Sequence, residues 1–268
     1  MLISNILIFC LGLIIGSFIN VLIYRLPKNQ NFVTGRSHCP HCLTVLKWYD
    51  LIPLASFLIL GRKCRYCRKK ISWQYFWVEL ASGTIFLLAF IRLAGAGADL
   101  WLMSLFLLLV FLILFVMDLK YLILPDKIII TAVCVVLIFG LLEKFGILAE
   151  SFGFLSGGNI LAALALSLFL FFFWFVSKGK WIGLGDSKLA VLIGLVFGPI
   201  GGLAVIYLAV VLGALTGLIL LATHKASLKT KLPLGSFICL AAALFVFAGD
   251  AIIKAVGQLG IFPNIFMF

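Results

Sequence analysis

Two acidic residues stand where an apolar chain gives them little local support. Asp118 follows the run LFLLLVFLILFVM at 105–117, and Asp186 lies in WIGLGDSKLA at 181–190. A carboxylate at a helix C-terminus opposes the macrodipole, so Asp118 gains nothing from its own helix. The plain alternative is a juxtamembrane charge beside Lys120. Asp186 can cap the helix that follows it, where the positive end favours an anion, yet Gly183 and Gly185 also let a second backbone approach. Lys188, two residues on, points away from Asp186 in a helix. Asp126, in LPDK, has a structural reason: Pro125 breaks the chain, and Asp126 is expected to cap the next helix. Two carboxyl groups brought within a few ångströms resist ionising together and share a proton. One then activates water while the protonated partner polarises a carbonyl. That is aspartic-protease chemistry, and it needs no metal at the scissile bond.

A second cluster is built from sulfur. HCPHC at 38–42 and CRYC at 64–67 give C-x2-C, 21 intervening residues, and C-x2-C again. Cys39, Cys42, Cys64 and Cys67 can supply the four thiolates that tetrahedral zinc prefers, each pair on a tight turn. Four cysteines leave no open position, so such a metal is structural. Disulfides or a redox pair are the rival use, and His38 and His41 are possible substitute ligands. Cys10, Cys134 and Cys239 stand singly in apolar runs and read as packing residues.

The elements that must position these groups are membrane helices. The chain has 268 residues, of which 65% are hydrophobic, and a mean hydropathy of +1.28. Soluble domains are nearer half apolar, so the expected class is an all-α polytopic membrane protein. About 20 apolar residues span the hydrocarbon, and only helices or closed barrels survive there. Eight spans are expected, near 2–24, 76–93, 99–117, 127–142, 158–177, 187–199, 201–223 and 235–253. Gly198, Pro199, Gly201 and Gly202 predict a tight hairpin between the sixth and seventh. A basic flank follows 2–24 and none precedes it, so this stretch reads as a retained helix rather than a cleaved signal.

The formal charge of +12 resembles a nucleic-acid signal, but its distribution argues against one. Arg25, Lys28, Arg36, Lys47, Arg62, Lys63, Arg65, Arg68, Lys69 and Lys70 fall between spans one and two. Lys120, Lys127, Lys178, Lys180 and Lys188, then Lys225, Lys229 and Lys231, mark every second junction. The other loops hold Arg92, Lys144 and Lys254 with Asp99, Glu143, Glu150 and Asp250. By the positive-inside rule the basic loops are cytoplasmic and both termini lie outside. No nucleic-acid partner is expected; the bilayer is the partner, and the basic loop can lie against anionic lipid. The parity puts the end of span three and the start of span six at one face. Asp118 and Asp186 then meet there, although nearly seventy residues separate them in the chain. The expected organisation is a first helix at 1–24, a cytoplasmic zinc-ribbon-like loop at 25–75, and a membrane core at 76–268.

These motifs, in this order, resemble the type IV prepilin peptidases, GxGD-class intramembrane aspartyl proteases. GSFINVLIYRLP at 16–27 resembles the first-helix signature, and the cysteine loop with ISWQYFWVELASG at 71–83 the cytoplasmic domain. DLKYLILPD at 118–126 and GLGDSK at 183–188 resemble the two aspartate blocks. LPLGSF at 232–237 resembles a late P-x-G-x-F element, with Leu234 and Ser236 departing from its commonest form. The resemblance implies that Asp118 and Asp186 form the catalytic pair, with Gly183, Gly185, Lys188, Pro125 and Asp126 in support. It implies cleavage of the basic leader of prepilins or pseudopilins after a glycine, at the cytoplasmic face of the bacterial inner membrane. It further implies N-methylation of the new N-terminus by S-adenosylmethionine, for which no glycine-rich Rossmann fingerprint is present. A proton-coupled transporter is the alternative use of paired membrane carboxylates, but it calls for midplane acids and repeated halves. A scaffold built on the zinc loop leaves the acids idle, and a presenilin-like protease calls for a Y-D and P-A-L pattern that Met117 and KLPLG do not offer.

Overall fold

Apolar runs broken by glycine, proline and charge dictate the element pattern, because backbone in hydrocarbon must satisfy its own hydrogen bonds. A computed structural model describes residues 2–28, 30–31, 35–148, 153–224, 230 and 232–258. Its helices are α1 (Leu2–Arg25), α2 (Ala55–Ile59), α3 (Trp73–Leu93), α4 (Ala98–Tyr121), α5 (Asp126–Lys144), α6 (Gly157–Ser177), α7 (Leu184–Ala222) and α8 (Leu234–Gln258). No named strand occurs among the described residues. Lys225, Lys229, Lys231 and Glu150, used above to assign sidedness, lie outside them. All eight expected stretches are helical. Among the described residues, five helices (α1, α3, α4, α6 and α7) are long and apolar enough to cross a membrane. Helix α5 has Asp126, Lys127, Glu143 and Lys144 at its ends, and the apolar part of α8, Leu234–Gly249, is shorter.

The chain forms two compact units, Met1–Ile113 and Leu114–Phe268. In the first, α1 crosses α3 through Gly12 and Gly16, the small-x3-small spacing that lets membrane helices approach closely. A Cβ at residue 12 would lie 2.8 Å from the Gly83 Cα, and one at residue 16 would lie 2.8 Å from the Glu79 Cα. Asn20 Nδ2 donates to the Tyr75 carbonyl across the same interface at 3.1 Å. The intervening loop is tied to the start of α3. Phe57 of α2 packs on Trp73 and Phe76, with ring centroids 5.3 and 5.5 Å apart. Beside it Glu79 accepts the Leu54 N–H at 2.9 Å. Leu54 has a φ of +56° and ψ of −49°, a region L-residues rarely adopt, so this bond holds a strained turn.

In the second unit α6 and α7 approach most closely at Gly194. A Cβ there would lie 2.4 Å from both the Cα and N of Ala163. Helix α7 folds back on itself at Gly198, whose φ of +66° and ψ of −167° only glycine tolerates readily. The fold-back is sharp: the Cβ position of residue 202 is 3.7 Å from the Gly194 Cα, against about 12 Å along a straight helix. The expected glycine-proline hairpin is thus a one-residue break. Pro199 has no N–H, which strips the Leu195 carbonyl of its helical donor. Asn159 of α6 replaces it, donating from Nδ2 to that carbonyl at 3.0 Å. Helix α8 closes the unit, with Phe245 packed edge-on against Phe197 at 5.2 Å.

Because the α6–α7 contact has no room for a methyl group, Gly194→Ala is expected to destabilise the protein by about 1–3 kcal/mol, the usual cost of overpacking. A lowered thermal transition in detergent, relative to wild type, checks this; an unchanged transition contradicts so close an approach.

Candidate active site and metal centre

The residues singled out in the second unit converge at helix ends. Helix α4 runs to Tyr121, so Asp118 lies inside its last turn rather than after it. Helix α7 starts at Leu184, three residues earlier than its apolar run suggests, because Gly183 caps it. Asp186 is consequently the third helical residue, not the cap. Its Oδ2 accepts the Gly183 N–H at 3.0 Å, and the Asp186 N–H donates back to the Gly183 carbonyl at 3.2 Å. This reciprocal pair holds the first turn with one carboxylate oxygen only.

The other oxygen faces Asp118. A Cβ built on Gly235, at the start of α8, would lie 3.0 Å from Asp118 Oδ2 and 3.0 Å from Asp186 Oδ1. The two oxygens are therefore separated by at most twice that distance. Both carboxylates are nearly buried, at 6% and 7% relative exposure. Asp118 Oδ2 takes two donors from Ser236: its N–H at 2.6 Å and its hydroxyl at 2.9 Å. Leu124 closes the floor, its side chain 2.8 Å from the Gly235 Cβ position and 2.9 Å from that of Gly185. Helix ends, rather than a continuous helix face, thus gather α4, α7 and α8 around one point.

The supporting residues divide. Gly183 and Gly185 lie at this point, as described. Asp126 departs from the capping role expected of it. Pro125 occupies the cap position of α5, and Asp126, the first helical residue, makes no capping bond. From there its side chain turns outward and pairs with Lys188, Nζ to Oδ1 at 2.7 Å. Both members are open to solvent, so the pair contributes little stability. Lys188 does point away from Asp186, toward a partner 62 residues distant that local spacing cannot reveal. Ser236 and Gly235 were visible only as part of LPLGSF, with no role attached; a serine beside a glycine in an apolar helix was the available signal. Cys239 is buried at 1% exposure, in keeping with a packing role, whereas Cys10 and Cys134 are exposed.

In the first unit the sulfur atoms of Cys39, Cys42, Cys64 and Cys67 all lie within 4.8 Å of one another. Two equivalent knuckles bring them together. Cys39 N–H donates to the Thr44 carbonyl and Leu43 N–H to the Cys39 carbonyl; Cys64, Lys69 and Arg68 repeat the pattern. Leu43 and Arg68 share a φ of +57° and +58° at matching positions. Asp50 joins the halves, binding Arg65 Nε at 2.7 Å and the Tyr66 hydroxyl at 3.1 Å. Burial disfavours its charged form, but the bonds from Arg65, the Lys47 N–H and Tyr66 outweigh this and hold its carboxyl below the usual range. The Thr44 hydroxyl and N–H pull the Cys42 thiol down to about 6, while burial pushes Cys39 up to about 11. Tetrahedral zinc with 2.3 Å bonds sets sulfurs about 3.8 Å apart, and Cys39 and Cys67 are already at 3.9 Å. The donor set therefore fits a metal ion, with His38 and His41 outside the cluster.

Comparison with known proteins agrees in both units. Residues 10–93 match the bacterial peptidase A24 N-terminal domain, and residues 105–218 match the type IV leader peptidase family. A prepilin leader peptidase/N-methyltransferase of Bacillus subtilis (strain 168) is 31% identical over 92% of this chain and 96% of its own length. A protein of the same name from Stutzerimonas stutzeri is 31% identical over 90% of each chain. A third, from Myxococcus xanthus (strain DK1622), is 34% identical over 84% of this chain, which spans 65% of that protein's length. No solved structure matches significantly. With helical membrane segments, a four-cysteine loop and these relatives along nearly its whole length, the chain belongs to the type IV leader peptidase family.

Proposed function

We propose that this protein cleaves the short basic leader from type IV prepilins or pseudopilins at the cytoplasmic face of the bacterial inner membrane, with Asp118 and Asp186 as the catalytic pair. The observation that carries this reading is the convergence of both carboxylates on Gly235. The reaction is ordinary peptide hydrolysis. One carboxylate removes a proton from water as the water oxygen attacks the scissile carbonyl. The other, protonated, donates a hydrogen bond to the carbonyl oxygen, and a proton then follows the leaving amine. Gly235 places no side chain of its own between the carboxylates, where any Cβ would meet both of them. A substrate whose first apolar helix lies in the membrane arrives with its leader at the boundary, and a glycine before the cut lets it extend. A proton-coupled transporter gains no support, since both acids sit at helix ends rather than along a path.

The four-cysteine cluster is proposed to hold one structural zinc, which fixes the two knuckles and leaves no ligand position for chemistry. N-methylation of the new N-terminus with S-adenosylmethionine is the second proposed activity, in line with the relatives' names. No side chain of this chain is assigned to that donor.

Asp118→Asn and Asp186→Asn should each abolish leader cleavage by at least about a thousandfold, as loss of an acid–base group does, while the protein still inserts. Mass spectrometry of a prepilin incubated with detergent-solubilised enzyme and methyl donor reads cleavage and methylation separately. Cleavage surviving in either variant removes that residue from the pair. Asp126→Asn, which breaks only an exposed ion pair, should stay within about threefold of wild type. Purified protein should contain about one zinc per chain. Elemental analysis finding none, with four thiols free to react, rejects the metal site.

A further inference from the structure

Ser236 does more at this site than fill space. It is buried at 1% exposure, and its hydroxyl has two acceptors in reach: Asp118 Oδ2 at 2.9 Å and the Phe115 carbonyl at 3.2 Å. A hydroxyl carries one hydrogen but can also accept. When Asp118 is ionised, both the N–H and the hydroxyl of Ser236 can donate to Oδ2. When Asp118 holds a proton on that oxygen, the Ser236 oxygen can accept it and turn its own hydrogen to the Phe115 carbonyl. Neither state leaves a buried polar group without a partner, the condition that makes such sites costly.

Among the described residues, Asp186 has no equivalent hydroxyl partner. Its fixed bond comes from the Gly183 N–H, a donor that cannot reverse. Resting on the proposed peptidase reading, acid–base turnover requires a carboxyl that gains and loses a proton in each cycle. We infer that Ser236 is a positioning residue that serves Asp118 in both protonation states, its hydroxyl switching between Asp118 and the Phe115 carbonyl. Asp118 can thereby gain or lose a proton while its buried neighbours keep their partners.

Ser236→Ala removes the hydroxyl and keeps the N–H. With full-length enzyme and a prepilin substrate, kcat should fall about tenfold or more with KM unchanged, the effect of losing one hydrogen bond to an ionisable group. Ser236→Thr, which restores the hydroxyl, should recover most of the rate. Wild-type kcat in Ser236→Ala, a loss confined to KM, or a Ser236→Thr variant that unfolds like wild type yet stays as slow, each overturns the inference. A second readout needs no activity. The infrared C=O stretch of protonated Asp118, identified by its absence in Asp118→Asn, should move to higher frequency in Ser236→Ala as the carboxyl loses its acceptor. An unmoved band overturns the switching role. If wild-type protein cleaves no prepilin, the peptidase reading fails, while the infrared shift still reports whether Ser236 and Asp118 are coupled.

Discussion

Two carboxyl groups held around one point inside an apolar bundle are the constraint that the second unit is built to satisfy. A buried carboxylate without donors is costly, and every nearby element supplies something against that cost. The first turn of α8 presents an N–H and a hydroxyl to Asp118. The first turn of α7 presents an N–H to Asp186. Both partners come from helix N-termini, where backbone N–H groups lack intrahelical acceptors and the dipole favours anions. Asp118, at the unfavourable end of its own helix, is thus compensated by the favourable end of another.

Close helix approach makes this possible. Gly194 lets α6 and α7 pack backbone to backbone, and Gly235 adds no side chain of its own where the two acids and Leu124 converge. The first unit solves a different problem with different means. Its loop is small and basic, with Asp50 as its sole acid, and cannot bury much apolar surface. It relies on two matched cysteine knuckles, an aromatic cluster at the start of α3, and the Glu79 bond to the strained Leu54 turn.

Much of this was legible in the sequence. Apolar runs gave the helices, because hydropathy and length leave few alternatives in a bilayer. Cysteine spacing gave the sulfur cluster, since each knuckle is local. The acids stood out because only nine exist. What escaped was non-local or set by one position of offset. Ser236 reaches Asp118 across 118 residues, and Lys188 reaches Asp126 across 62; no local pattern encodes either pair. Asp126 fails to cap because Pro125 takes that position first, moving the carboxylate one residue too far along. Asp186 was ambiguous between capping and chemistry because each of its oxygens faces a different neighbour. The Gly12-x3-Gly16 contact also escaped, although its spacing is local.

The break at Gly198 has a bearing on how this unit can diversify. Most membrane hairpins are joined by loops that absorb insertions. Here the two arms of α7 are joined through a single residue, and Asn159 ties that residue's neighbourhood to α6. Adding or deleting one residue in either arm would rotate everything beyond it by about 100°, turning lipid-facing side chains inward. Length variation among homologous chains should therefore be excluded from this corner and collect elsewhere, leaving residues 194–202 as a fixed ruler against which sequences can be aligned.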